Sequence, residues 1–134
     1  MIRLDKQKTN NVVLTLTEKS EYYLLNVPNY YLFVVENEGT QQSVKFTADD
    51  LSDIPERYNY FRIQEFYNNT NPNDLLDGKI YLTGNTSEWR YKVYESDTPF
   101  SADTLDIQYT TGKILEEGRL QVRGNDARIN DIYK

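Results

Sequence analysis

Apolar and polar positions alternate in several stretches of the chain, most cleanly in Glu88–Glu95, EWRYKVYE. There Trp89, Tyr91 and Val93 fall on one face and Arg90, Lys92 and Tyr94 on the other, the period of a half-buried β-strand. Asn11–Thr17, NVVLTLT, sets Val12, Leu14 and Leu16 against Val13, Thr15 and Thr17 and predicts a second strand. Ahead of it, Ile2 and Leu4 predict a short edge strand or an arm. Tyr30–Glu36, YYLFVVE, is apolar on both faces. Such a strand is either central with its outer face covered by the same chain, or covered there by another subunit.

Asn37–Thr40 predicts a turn, with Val44 and Phe46 on the returning strand of a hairpin. Ala48–Pro55 reads as a polar link with helical-turn character that its proline stops. In Arg57–Phe66, RYNYFRIQEF, Phe61 and Ile63 face the core while Tyr58, Tyr60 and Arg62 line the opposite side, an arrangement suited to stacking and cation–π contacts. A turn-rich insertion, YNNTNPNDLLDG, leads into Lys79–Thr83 and then the Trp89 strand. Beyond a loop at Asp97–Asp103, Leu105–Thr110 and Lys113–Glu117 are expected as strands flanking a Thr-Gly turn, with Leu120 and Val122 on a last strand. Residues 1–124 therefore predict an all-β domain, an antiparallel β-sandwich of immunoglobulin-like type with seven or eight strands; a barrel is the alternative. Residues 125–134 carry too few apolar side chains for a core and read as a C-terminal arm, whose Ile129, Ile132 and Tyr133 are candidates for docking.

A chain of 134 residues supports one core, burying roughly two-thirds of the surface its unfolded form exposes. The 12 tyrosines exceed the usual share and indicate strands plus contact surface, because each ring brings apolar area with a polar tip. Lys and Arg number 15 against 21 Asp and Glu, for a net charge of −6 without a basic run, which argues against nucleic acid as a partner. The N-terminal MIRLDKQKTNN lacks the apolar stretch of an export signal, and no apolar run approaches a membrane span, so no membrane partner is expected.

With no histidine and no cysteine, the chain lacks the common general bases, thiol nucleophiles and transition-metal ligands. The carboxylate pairs Glu116/Glu117 and Asp49/Asp50 are adjacent, so on an extended segment they point to opposite faces and do not flank one substrate. Asn69, Asn71, Asn73, Asp74 and Asp77 gather oxygens in one loop, but their spacing matches no calcium signature and Pro72 interrupts it. No catalytic residue, metal site or cofactor is expected. Exposed aromatics are the remaining signal. Tyr22, Tyr23, Tyr30, Tyr58, Tyr60, Tyr67 and Tyr94 exceed what one core accepts; they are either cross-strand packing with wet hydroxyls or a binding surface, and of binding surfaces a subunit contact fits better than a sugar platform because the two-faced YYLFVVE strand also needs cover.

Five stretches, LTLTEK at Leu14–Lys19, YYLF at Tyr30–Phe33, RYNYF at Arg57–Phe61, WRYKVYE at Trp89–Glu95 and LEEGRLQV at Leu115–Val122, resemble in their order a family of small virion proteins. The family belongs to tailed phages infecting Bacteroidetes, including the crAss-like phages. The resemblance implies an immunoglobulin-like structural protein of the virion, without catalytic residues, assembled in the host cytoplasm. The expected role is an auxiliary capsid (decoration) subunit, many copies per particle, bound to the major capsid protein or sister subunits through Tyr58, Tyr60 and Arg62 and the arm. The alternative is a head-fibre or tail-associated adhesion module that recognises host surface carbohydrate.

Overall fold

The computed structural model describes residues 2–20, 29–37, 39–55, 57–65, 72–82 and 87–124. Within them lie β1 (Ile2–Asp5), β2 (Thr9–Leu14), β3 (Tyr30–Glu36), β4 (Ser43–Thr47), β5 (Asn59–Glu65), β6 (Lys79–Ile80), β7 (Ser87–Ser96) and β8 (Glu116–Arg123). They form two sheets, ordered β1-β8-β7-β3-β4 and β2-β5-β6. The all-β sandwich expected from the alternation is thus present. Its strands change sheet as an immunoglobulin-type arrangement requires, with β3, β7 and β8 in one layer and β2 and β5 in the other. Two short pairings, β1 with β8 and β5 with β6, are parallel, and the others are antiparallel.

The core follows the period-2 pattern. Trp89, Tyr91 and Val93 of β7, Tyr31, Phe33 and Val35 of β3, and Leu120 and Val122 of β8 point inward against Val12, Leu14, Phe61 and Ile63 of the other sheet. Phe61 ties the layers together, meeting Phe33 edge-on at 5.0 Å and Tyr31 at 5.6 Å between ring centroids. Each such side chain, fully buried, contributes about 1.5–3 kcal/mol of transfer free energy.

β3 is the central strand its sequence demands, flanked by β7 and β4. Its outer face is covered by the chain itself. Leu32 and Val34, with Tyr94 of β7, pack under Phe100, Leu105 and Ile107 from the excursion between β7 and β8. The subunit contact inferred for this face is therefore not needed to bury it. The same excursion corrects the expectation of strands at Leu105–Thr110 and Lys113–Glu117. Asp106 accepts the N–H of Ile107 at 2.7 Å and starts a 3₁₀ turn at Ile107–Tyr109, a local bond that replaces ladder pairing. Residues from Glu116 onward join Leu120 and Val122 in one strand, β8. Lys45 reaches Asp106 at 3.2 Å and holds this strap against β4.

At the opposite side, Lys6 in the turn after β1 is buried against Glu65 at the end of β5, with 2.7 Å between Nζ and Oε2 and neither side chain exposed. Lys6 Nζ also donates to the Leu82 carbonyl and lies 5.0 Å from the centre of the Tyr81 ring. The backbone N–H groups of Gln7 and Leu82 donate to the same carboxylate at 3.1 and 3.2 Å. Gln7 takes a positive φ of 60°, and the chain leaves the β1 sheet there to begin β2 in the other.

Candidate functional site

The predicted contact residues of β5 lie on the outward face of the smaller sheet. Inward Asn59, Phe61, Ile63 and Glu65 are buried; between them Arg62 is exposed and Tyr60 and Gln64 are half-buried. Tyr58, just before the strand, is half-buried and donates its N–H to Ile54 at 3.2 Å. Tyr60 and Arg62 thus share the outward side of β5, as alternation predicts, while Tyr58 precedes the strand. The arm residues Ile129, Ile132 and Tyr133 lie outside the described residues, as do Tyr22, Tyr23, Tyr67, Asn69 and Asn71. Tyr94, expected among the exposed rings, is instead buried beneath the strap.

Register builds the face outward from Tyr60. Val13 of β2 sits opposite Tyr60, and Asn11 opposite Arg62. On the other flank Leu51 donates its backbone N–H to the Tyr60 carbonyl at 2.7 Å, extending the sheet by one irregular segment. Val13, Tyr60 and Leu51 therefore form a lateral row, and Val13 and Leu51 are 60% and 47% exposed, unusual for side chains of this kind. The Tyr60 hydroxyl donates to Asn11 Oδ1 at 2.6 Å, which orients the ring along the sheet. Beside the row, Leu51, Arg62, Gln64, Asp49, Asp77 and Lys79 line a shallow hollow of about 250 Å³. Among the described residues, no carboxylate forms an ion pair with Arg62.

Two polar side chains, half-buried Asp50 and buried Asn59, position this surface. Asp50 accepts the N–H of Tyr60 and of Ser52, each at 3.0 Å, and the amide of Asn59 at 2.7 Å. Asn59 in turn accepts the N–H of Leu16 at 2.7 Å. Together they clamp the 48–55 link and the end of β2 to the start of β5, fixing where Leu51 emerges. Sequence reading missed Asn11, Val13, Asp50, Leu51 and Asn59 as parts of the site. The Asp-Leu-Ser run at 50–52, an Asx turn before an isolated apolar residue, carried the one legible signal.

Other polar groups do not converge on a cleft. Glu116 accepts from the Tyr91 hydroxyl at 2.9 Å and from Lys19 at 3.4 Å, while Glu117 is exposed on the other face of β8. Burial, followed by the bond to Glu116, raises the Tyr91 phenol above its ordinary range. Glu95 is buried and accepts from Ser20 at 2.5 Å and from the Asn29 amide at 3.0 Å, next to Tyr31. Burial is the main cause that pushes the Tyr31 phenol up to about 12, with Asp50 and Glu95 adding to it and a bond to Thr17 opposing it. Among the described residues no cluster of three or more carboxylates is placed to hold a metal ion. Among the described residues, no helix is long and apolar enough to cross a membrane. No protein-family model, curated protein or solved structure matches the chain.

Proposed function

We propose that the chain is a structural protein of a phage virion, an auxiliary capsid subunit that adheres to the shell or to sister subunits through the outward face of β2 and β5. The observation that carries this reading is the row of Val13, Tyr60 and Leu51 beside Arg62, on a sheet held rigid by the Asp50–Asn59 clamp. A flat, pre-ordered face with an aromatic anchor, an arginine and exposed aliphatics has the composition of a protein contact. A standard interface buries about 800 Å² on each partner, and repetition over many copies turns modest single contacts into firm attachment. No bond-making chemistry is assigned to the protein.

The hollow beside Arg62, lined by Asp49, Gln64 and Asp77, supports the second reading, a carbohydrate-binding adhesion module. Polar side chains beside an oriented ring are the parts such a site needs. Quantitative mass spectrometry of purified particles of the source phage separates the readings. The first expects the protein in stoichiometric amount, and the Tyr60→Ala/Arg62→Ala double variant, folded by circular dichroism, at sharply lower copy number. Absence of the protein from particles overturns both. Normal occupancy of the double variant with loss of binding on a glycan array moves the assignment to the second.

A further inference from the structure

Four strands end the two sheets among the described residues, and three of them carry features that deter further pairing. β1 has Arg3 and Asp5; β4 has Lys45 and lies against the 72–76 turn; β6 is two residues long. β2 has none of these. Thr9–Leu14, TNNVVL, is uncharged, contains no proline, and pairs with β5 in unbroken register from Thr9↔Gln64 to Leu14↔Asn59.

The hydrogen-bonding phase shows which backbone groups face outward. The Glu65 N–H donates to the Lys8 carbonyl at 3.1 Å, so Lys8 and Glu65 form a hydrogen-bonded pair of the ladder. Asn10, Val12 and Leu14 then turn their N–H and C=O groups toward β5, and Thr9, Asn11 and Val13 turn theirs away. β5 has the matching phase on its far side, where Leu51 donates to the Tyr60 carbonyl and the Gln64 N–H donates to the Gly78 carbonyl at 2.8 Å. Nothing among the described residues meets the outward groups of Thr9, Asn11 and Val13. The reason is topological: the turn at Gln7 leaves β1 on the other sheet, and no described strand takes the position beside β2.

We propose that β2 pairs antiparallel with β2 of a second copy of this chain across a twofold axis, joining the two three-stranded sheets into one. In the register that uses every outward group, Asn11 lies against its own counterpart and Thr9 against Val13. The residues of β2 suit this occupant: the axis sets Asn11 beside its own copy, where a charge would meet its like, and Thr9 beside Val13, and the strand is uncharged throughout. The pairing also sets the two Val13–Tyr60 rows side by side on one continuous outer surface.

The test uses the purified full chain in native mass spectrometry and light scattering over rising concentration, with residue-level hydrogen exchange by NMR. A concentration-dependent dimer of two 15.8 kDa chains is expected. The amides of Thr9, Asn11 and Val13 become protected as it forms and exchange freely on dilution. Asn11→Lys, which sets two cations at the axis, weakens the dimer by about tenfold or more, while the uncharged Asn11→Ser keeps it. The inference is overturned by a chain that is monomeric up to about 1 mM. It is also overturned by a dimer in which those amides stay unprotected, or by their protection in a monomer. Exchange in the unmodified chain decides the matter even where Asn11→Lys fails to fold. A monomer that still occupies particles overturns this pairing and leaves the contact-face proposal standing.

Discussion

Replacing Lys6 by Met isolates the strongest single electrostatic commitment of the fold. Lys6 and Glu65 are both fully buried at 2.7 Å, and the pair fastens the β1–β2 turn to the end of β5. The substitution keeps an unbranched stem one atom shorter but leaves the Glu65 carboxylate buried with the N–H groups of Gln7 and Leu82 and no cation. Breaking a buried pair from one side costs about 3–5 kcal/mol, because the remaining charge has lost both water and partner. Against a total stability of about 5–15 kcal/mol this is a large share. Adding Glu65→Gln removes the stranded charge, keeps an oxygen for the Gln7 N–H and offers an amide to the Leu82 carbonyl that Lys6 leaves vacant, at the cost of the acceptor for the Leu82 N–H, a smaller loss than a buried charge. The double variant is therefore expected to be more stable than Lys6→Met alone. Urea unfolding followed by the fluorescence of Trp89, the one tryptophan and a core residue, reads the effect directly. With a slope of about 2 kcal/mol per molar urea, the single variant lowers the midpoint by about 1.5–2.5 M. A loss below about 1 kcal/mol, or losses that simply add in the double variant, would refute the reasoning.

Two further outcomes follow from local geometry. Gly78 has φ of 72° and a Cβ there would come 2.8 Å from the Arg62 carbonyl oxygen, so Gly78→Ala is expected to cost about 1–3 kcal/mol in the same urea assay, and an unchanged midpoint would contradict the backbone conformation. The Tyr31 phenol is raised from 10.0 to about 12, so the unfolded chain ionises first on alkaline titration. Its contribution is fully present below about pH 10 and is lost as pH climbs toward about 12; Tyr31→Phe should flatten the stability slope in that window, and an identical slope would count against the buried phenol.

How much of this was legible depended on whether a residue's role was local. The inward positions of β5 and β7 follow from alternation, because side-chain direction in a strand depends only on parity. The turn at Ile107 did not. LDIQYT has strand-like composition, yet Asp106 bonds to the next backbone N–H and the segment's apolar side chains serve as a cover for Leu32 and Val34. The proposed contact face was half legible. Tyr58, Tyr60 and Arg62 announced themselves by parity, whereas Val13 and Leu51 joined them through register with β5, a long-range relation no local pattern encodes. No pattern in the sequence marks Lys6 and Glu65 as partners, since burial in partnership leaves no periodic trace.

The strap over β3 gives the molecule a heading. One flank is covered by Phe100, Leu105 and Ile107, while the opposite flank exposes Val13 and Leu51 beside the half-buried Tyr60. On the proposed reading, a block covered on one side and exposed on the other would land on its support in a single sense. An array of such blocks would carry every strap toward the solvent, and the 97–110 excursion is then the stretch of chain that an approaching cell, antibody or protease encounters first.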